Sequence, residues 1–137
     1  MKGTNAITAA MWTLTLLVCT TWIGATNAQP PGLKSTVLQR GDISFPGREV
    51  VTVQNESQPG VRIPRHTHPG EEVGYLLEGN FRLEVDGKSP VVLKAGDVFL
   101  VPAGMPHKAM NEGTTTAKVL STYIVEKGKP VVSWIAE

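Results

Sequence analysis

Past residue 29 the apolar residues fall in short runs in which they alternate with polar ones. No window carries them at helical spacing over three turns. The runs are rich in Val, Ile, Leu, Phe and Tyr, and turn signals separate them every eight to twelve residues, so the pattern predicts an all-β domain. The predicted strands are Arg48–Gln54, Gly60–His68, Glu72–Gly79, Phe81–Asp86, Val91–Ala95, Val98–Pro102, His107–Asn111 and Ala117–Glu126. Between them lie "SQPG", "HPGE", "EGN", "DGKSP", "AGD", "PAGMP" and "NEGT", where glycine and proline supply the backbone angles that tight turns need. Eight strands in so short a stretch would leave long edges in one open sheet. Closure into a barrel or jelly roll removes them. The proline- and glycine-rich "QPPGLK" predicts an extended arm over residues 29–45, ahead of a single barrel domain over 46–137. The tail "GKPVVSWIAE" reads either as a last strand anchored by Trp134 or as part of a subunit interface.

The first 28 residues have a different layout. One charge, Lys2, precedes an apolar run from Met11 to Ile23 and small residues ending at Ala28, which is the order of a secretory signal peptide. Cleavage is expected after Ala28, with Ala25 as the alternative; the run is short for a membrane span, and a retained anchor is the competing reading. Bulky Val18 before Cys19 argues against a lipid-modified cysteine there. The expected mature protein is therefore secreted or periplasmic, without stable membrane association. Its loss of Lys2 leaves twelve basic and twelve acidic residues, so no charge footprint for nucleic acid remains. The single cysteine leaves with the leader, and no disulfide is available.

The chemistry concentrates in "RHTHPGEE", Arg65 to Glu72. Residues two apart on a strand share a face, so His66 and His68 project together and could begin a metal site. The turn that follows can bring Glu72 back toward the same ion, and His107, after a second tight turn, can complete three nitrogens and one oxygen. Such a set leaves a position open for a reactive ligand. Taken singly, each histidine is more simply an ordinary core or surface residue. An H-x-H pair beside a carboxylate, with the chain's third histidine also at a turn, weakens that simpler account.

The sequence resembles the cupins. Their first motif appears as Gly60, His66, His68, Glu72 and Gly79 in "GVRIPRHTHPGEEVGYLLEG", their second as Gly96, Pro102, Gly104, His107 and Asn111 in "GDVFLVPAGMPHKAMN", and the sixteen-residue spacer is near the family's minimum. The resemblance implies a double-stranded β-helix, a small jelly-roll barrel, holding one divalent ion through His66, His68, Glu72 and His107. Glu71 is the rival carboxylate, disfavoured by the family's spacing. The ligand set suits Fe, Mn, Ni, Cu, Co or Zn, and the lack of thiolate argues against a closed structural zinc site. The resemblance ranks iron and manganese first.

Further candidates follow from strand parity. Gly74 and Leu76 should point inward with Glu72, Gly74 leaving space; Arg62 shares parity with His66, if Pro64 does not break it, and could hold a substrate carboxylate. Phe99, Met105 and Tyr123 could line an apolar pocket. Three functional classes remain: a dioxygenase-type oxidoreductase acting on a small organic molecule, with Glu72 as proton acceptor; a non-redox lyase or isomerase; and a module that binds a small ligand without turnover. A homodimer is expected, because the barrel leaves edge strands to cover and the resemblance to small cupins, which commonly pair, implies it.

Overall fold

The structure, a computed structural model, describes residues 29–136; the segment read as a signal peptide lies outside them. Ten strands follow in chain order: β1 Leu33–Asp42, β2 Arg48–Ser57, β3 Arg62–Thr67, β4 Gly70–Glu78, β5 Asn80–Val85, β6 Val91–Lys94, β7 Val98–Val101, β8 His107–Met110, β9 Ala117–Glu126 and β10 Ser133–Trp134. They form two five-stranded sheets, in the orders β1-β2-β9-β4-β7 and β10-β3-β8-β5-β6, with every pairing antiparallel. This is a double-stranded β-helix.

Burial follows the period of two that the sequence carries. On β9 Ala117, Val119, Ser121, Tyr123 and Val125 are buried, while the residues between them are half-exposed. The inward residues form two clusters. Leu76, Phe81, Leu83, Val85, Leu93, Val101, Ala109 and Val119 make the larger one, and Val51, Val53, Tyr123 and Val125 the smaller. A polar cavity wall and the histidines lie where the two meet.

The turns hold the strands in register. Gly79, between β4 and β5, has a φ of 78°, and a Cβ there would stand 2.9 Å from the Ala117 backbone; only glycine combines that angle with that approach. Asn111, fully buried, donates through Nδ2 to the carbonyls of Ser57 and Thr115 and accepts from Gly113 N–H, so this motif position closes a loop.

Leu33–Asp42, expected as an arm ahead of the barrel, is strand β1, paired with β2 along its whole length. Nearly all its side chains are exposed, so it lacks the alternation that marks a half-buried strand, and backbone hydrogen bonds rather than burial hold it. The tail does form a last strand. β10 pairs with β3, setting Trp134 opposite His66.

Candidate metal centre

Three imidazoles meet inside the barrel. His66 and His68 come from β3 and the turn after it, and His107 opens β8, where it pairs with His66. The "PAGMP" turn that delivers His107 is tied to the first motif by a hydrogen bond from Gly104 N–H to His68 C=O at 3.0 Å. The ligating nitrogens of the three lie within 4.8 Å of one another, and all three residues are buried, so they could hold a metal ion.

Hydrogen bonding decides which nitrogen each ring presents. Nδ1 of His66 lies 2.7 Å from Pro64 C=O, that of His68 2.6 Å from Val131 C=O, and that of His107 3.0 Å from Met105 C=O. A carbonyl only accepts, so each Nδ1 carries a proton and each ring turns its Nε2 into the site. Nε2 of His68 and of His107 are buried without a hydrogen-bond partner. They stand 3.3 Å and 3.4 Å from Glu72 Oε2. Buried imidazole nitrogens without partners, gathered around a carboxylate oxygen, form a donor set that fits a divalent ion.

Glu72 points inward from β4, whereas Glu71 lies half-buried on the opposite face. Burial opposes ionisation of Glu72, yet the His107 and His68 rings and the Ser121 hydroxyl outweigh it and hold the carboxyl well below the usual range. The Ser121 hydroxyl donates to Glu72 Oε1 at 2.7 Å, leaving Oε2 for the histidine side. Burial, followed by the charge of His107, pushes His66 down to about 4, so its ring is neutral at neutral pH. Tyr123 packs against His68 with the rings tilted and their centroids 4.7 Å apart; burial and then the Glu72 charge raise its phenol above the ordinary value, so it stays protonated.

A cavity of about 90 Å³ opens beside the histidines. Its apolar wall includes Ile63, Phe81, Leu83, Phe99 and Val119, and its polar wall Ser35, Asn55, Ser57 and Ser121. Of the six pocket residues expected, Phe99 and Tyr123 line this cavity. The space expected over Gly74 is filled, because the Phe99 ring sits on it: a Cβ on Gly74 would lie 2.0 Å from Phe99 Cζ. Leu76 is fully buried in the larger core cluster and Met105 packs against that cluster, so both act in packing. Arg62 faces out. A register shift between Ile63 and His66 breaks the parity, turns Ile63 inward and leaves Arg62 exposed in an outer groove with Arg82, Glu84 and Lys108.

Four neighbours of the site escaped the sequence reading: Ser121, Asn55, Ser35 and the Val131 carbonyl. Ser121 alone left a trace, as a hydroxyl on the inward register of an otherwise apolar strand. Trp134, expected as a packing or interface residue, lines the cavity with its ring 5.2 Å from that of His66.

A family profile described as the cupin domain matches residues 53–123, more than half of the chain. The chain belongs to the cupin family. Bovine (Bos taurus) 3-hydroxyanthranilate 3,4-dioxygenase is 42% identical over 65 residues, which cover 45% of this cupin and 23% of that enzyme. The chain spans less than half the length of the curated relatives it matches. Among solved structures, an oxalate oxidase in complex with the substrate analogue glycolate is 25% identical with a TM-score of 0.62, covering 82% of this chain and 59% of that one. A Klebsiella pneumoniae protein with a double-stranded β-helix domain shares the fold at 20% identity and a TM-score of 0.63, over 85% and 92% of the two chains.

Proposed function

We propose that this cupin is an exported, metal-dependent oxidoreductase of the dioxygenase type that acts on a small organic molecule. The observation that carries the reading is the pair of buried, unpartnered Nε2 atoms facing Glu72 beside a cavity large enough for a small substrate. His66, His68, Glu72 and His107 would hold one divalent ion, iron or manganese by preference, with nickel, copper, cobalt and zinc as competitors. Such an ion supplies a binding point for dioxygen and an organic ligand together, or a Lewis acid in the non-redox alternative.

The side chains of the chain have defined tasks in this reading. Glu72 is the only carboxylate among the described residues lining the cavity and so the proton acceptor offered to a bound substrate, with its Oε1 fixed by Ser121. Tyr123 offers a neutral phenol as a hydrogen-bond donor at the same end. The apolar wall excludes water and seats the hydrocarbon part of the ligand. A dioxygenase and an oxidase among the similar proteins support oxygen chemistry over lyase or isomerase chemistry.

The leader layout of the first 28 residues supports export, and an exposed apolar stripe on β4 and β7 supports a homodimer. The deciding experiment measures metal in protein recovered from the exported compartment, with its amino terminus sequenced, alongside His66→Ala and Glu72→Gln. Expected are a chain starting at Gln29 and about one iron or manganese, lost in both variants, followed by oxygen uptake with enols, phenols or diketones. Turnover without oxygen would mark a lyase or isomerase, and ligand binding without turnover a binding module; either overturns the dioxygenase reading.

A further inference from the structure

We propose that the groove on the outer face of β3, β8 and β5 is a second binding site, for a hydroxylated monocarboxylate such as a sugar acid. It lies across the sheet from the metal centre and stands whether or not that centre holds an ion.

Strand register builds the groove. Arg62, Met110 and Arg82 are paired in one row across β3, β8 and β5, and Lys108 pairs with Glu84 in another. Direct partners present their side chains on one face, so three cations and a carboxylate stand together there. Glu112, just past β8, adds a second carboxylate, and Pro64 and half-buried Met110 supply an apolar surface between the charges. The volume is about 160 Å³, room for roughly ten water-sized groups, which is the size of one sugar ring.

Charge selects the ligand. Arg82 donates through Nε to Glu84 Oε1 at 2.9 Å and lies 3.7 Å from Glu112, and Lys108 Nζ reaches Glu84 Oε2 at 3.3 Å. Those four side chains cancel. Arg62 forms no ion pair with any described residue, so the groove carries one unmatched positive charge, on a guanidinium whose planar fork suits a carboxylate. The two glutamates are already held by their cations and keep spare lone pairs, which take hydroxyl hydrogens and repel a second anion. An amino acid, whose ammonium cancels its own carboxylate, would leave the Arg62 charge unmatched. The irregularity in β3 is what presents Arg62 on this face, since strict alternation from His66 would have turned it inward.

The test follows backbone amide shifts of the isotope-labelled protein, at neutral pH and constant low ionic strength, during titration with D-glucuronate, D-glucose and acetate. Glucuronate is expected to move the amides of Arg62, Arg82, Glu84 and Lys108. It should bind about fivefold more tightly than either control, the modest margin that an exposed ion pair gives. Arg62→Gln, which keeps much of the stem and drops the charge, should bring glucuronate down to the level of glucose. Glu72→Gln, on the other sheet, should leave glucuronate binding intact. Glucose or acetate binding as tightly as glucuronate overturns the proposal, as do shifts that miss the groove or an Arg62→Gln variant that binds as before. Loss of binding in Glu72→Gln would place the ligand in the inner cavity and overturns it too.

Discussion

At the scale of single residues, the hydroxyl of Ser121 has the clearest consequence. It is 1% exposed and spends its proton on Glu72 Oε1, so the carboxylate can present only Oε2 to the histidines. Ser121→Ala removes that donor and frees the carboxylate to rotate. Metal affinity is expected to fall about tenfold, the lower end for loss of an orienting partner, with a stability loss of about 1–2 kcal/mol from the acceptor left buried. Ser121→Thr, which keeps the hydroxyl, should recover most of the affinity in a competition titration. Equal losses in both variants would mean that Ser121 acts through packing. Legibility at this scale is uneven. His66 and His68 sit two apart on one strand, so their common face needs no knowledge of the rest of the chain. Ser121 and Glu72 are 49 positions apart and meet only because β9 pairs with β4.

Among the elements, the tail after β9 carries more than its two paired residues suggest. Lys127 N–H donates to Gly47 C=O, Ile135 N–H to Arg65 C=O, and Val131 C=O takes the His68 Nδ1 proton. Val132 and Trp134 close one side of the cavity, and the whole segment lies past the region the cupin profile covers. Deleting residues 130–137 removes none of β1 to β9 and, from the residues packed on the two core clusters, only Val131. The shortened chain should keep its β-sheet circular dichroism while metal affinity drops about 10- to 100-fold, because His68 loses the acceptor that fixes its tautomer. Unchanged affinity would show that the tail only covers the mouth. The strand edges of the sequence reading fall within a few residues of those observed, since the inward register is apolar and the turns carry glycine and proline. β1 was the exception, for it offers hydrogen bonds to an edge and buries almost nothing.

On the whole molecule, several of the large apolar residues left exposed among the described residues gather on one outer stripe. Val73, Tyr75 and Leu77 on β4 stand beside Val98 and Leu100 on β7, in the register Val73 to Leu100 and Tyr75 to Val98, and all five are exposed. β7 is also a sheet edge of only four residues. A second copy covering this stripe would remove both liabilities. Sedimentation at micromolar concentration should give a dimer that Val98→Glu with Leu100→Glu converts to a folded monomer; a monomer in the unaltered chain removes the dimer from the proposal.

The order of apolar and polar residues determined by itself that the domain is all-β, where most strands lie, and that His66, His68, Glu72 and His107 project from short, turn-bounded segments. Those properties are local, set by a period of two and by the angles glycine and proline allow. Tertiary structure decided what faces the site from afar. The irregularity in β3 turned Arg62 outward and Ile63 inward, the β4–β7 register laid Phe99 over Gly74, and the β10–β3 pairing brought Trp134 to His66. Each depends on which strand lies beside which and in what register. Backbone hydrogen bonds across the closed barrel set that, between residues far apart in the chain.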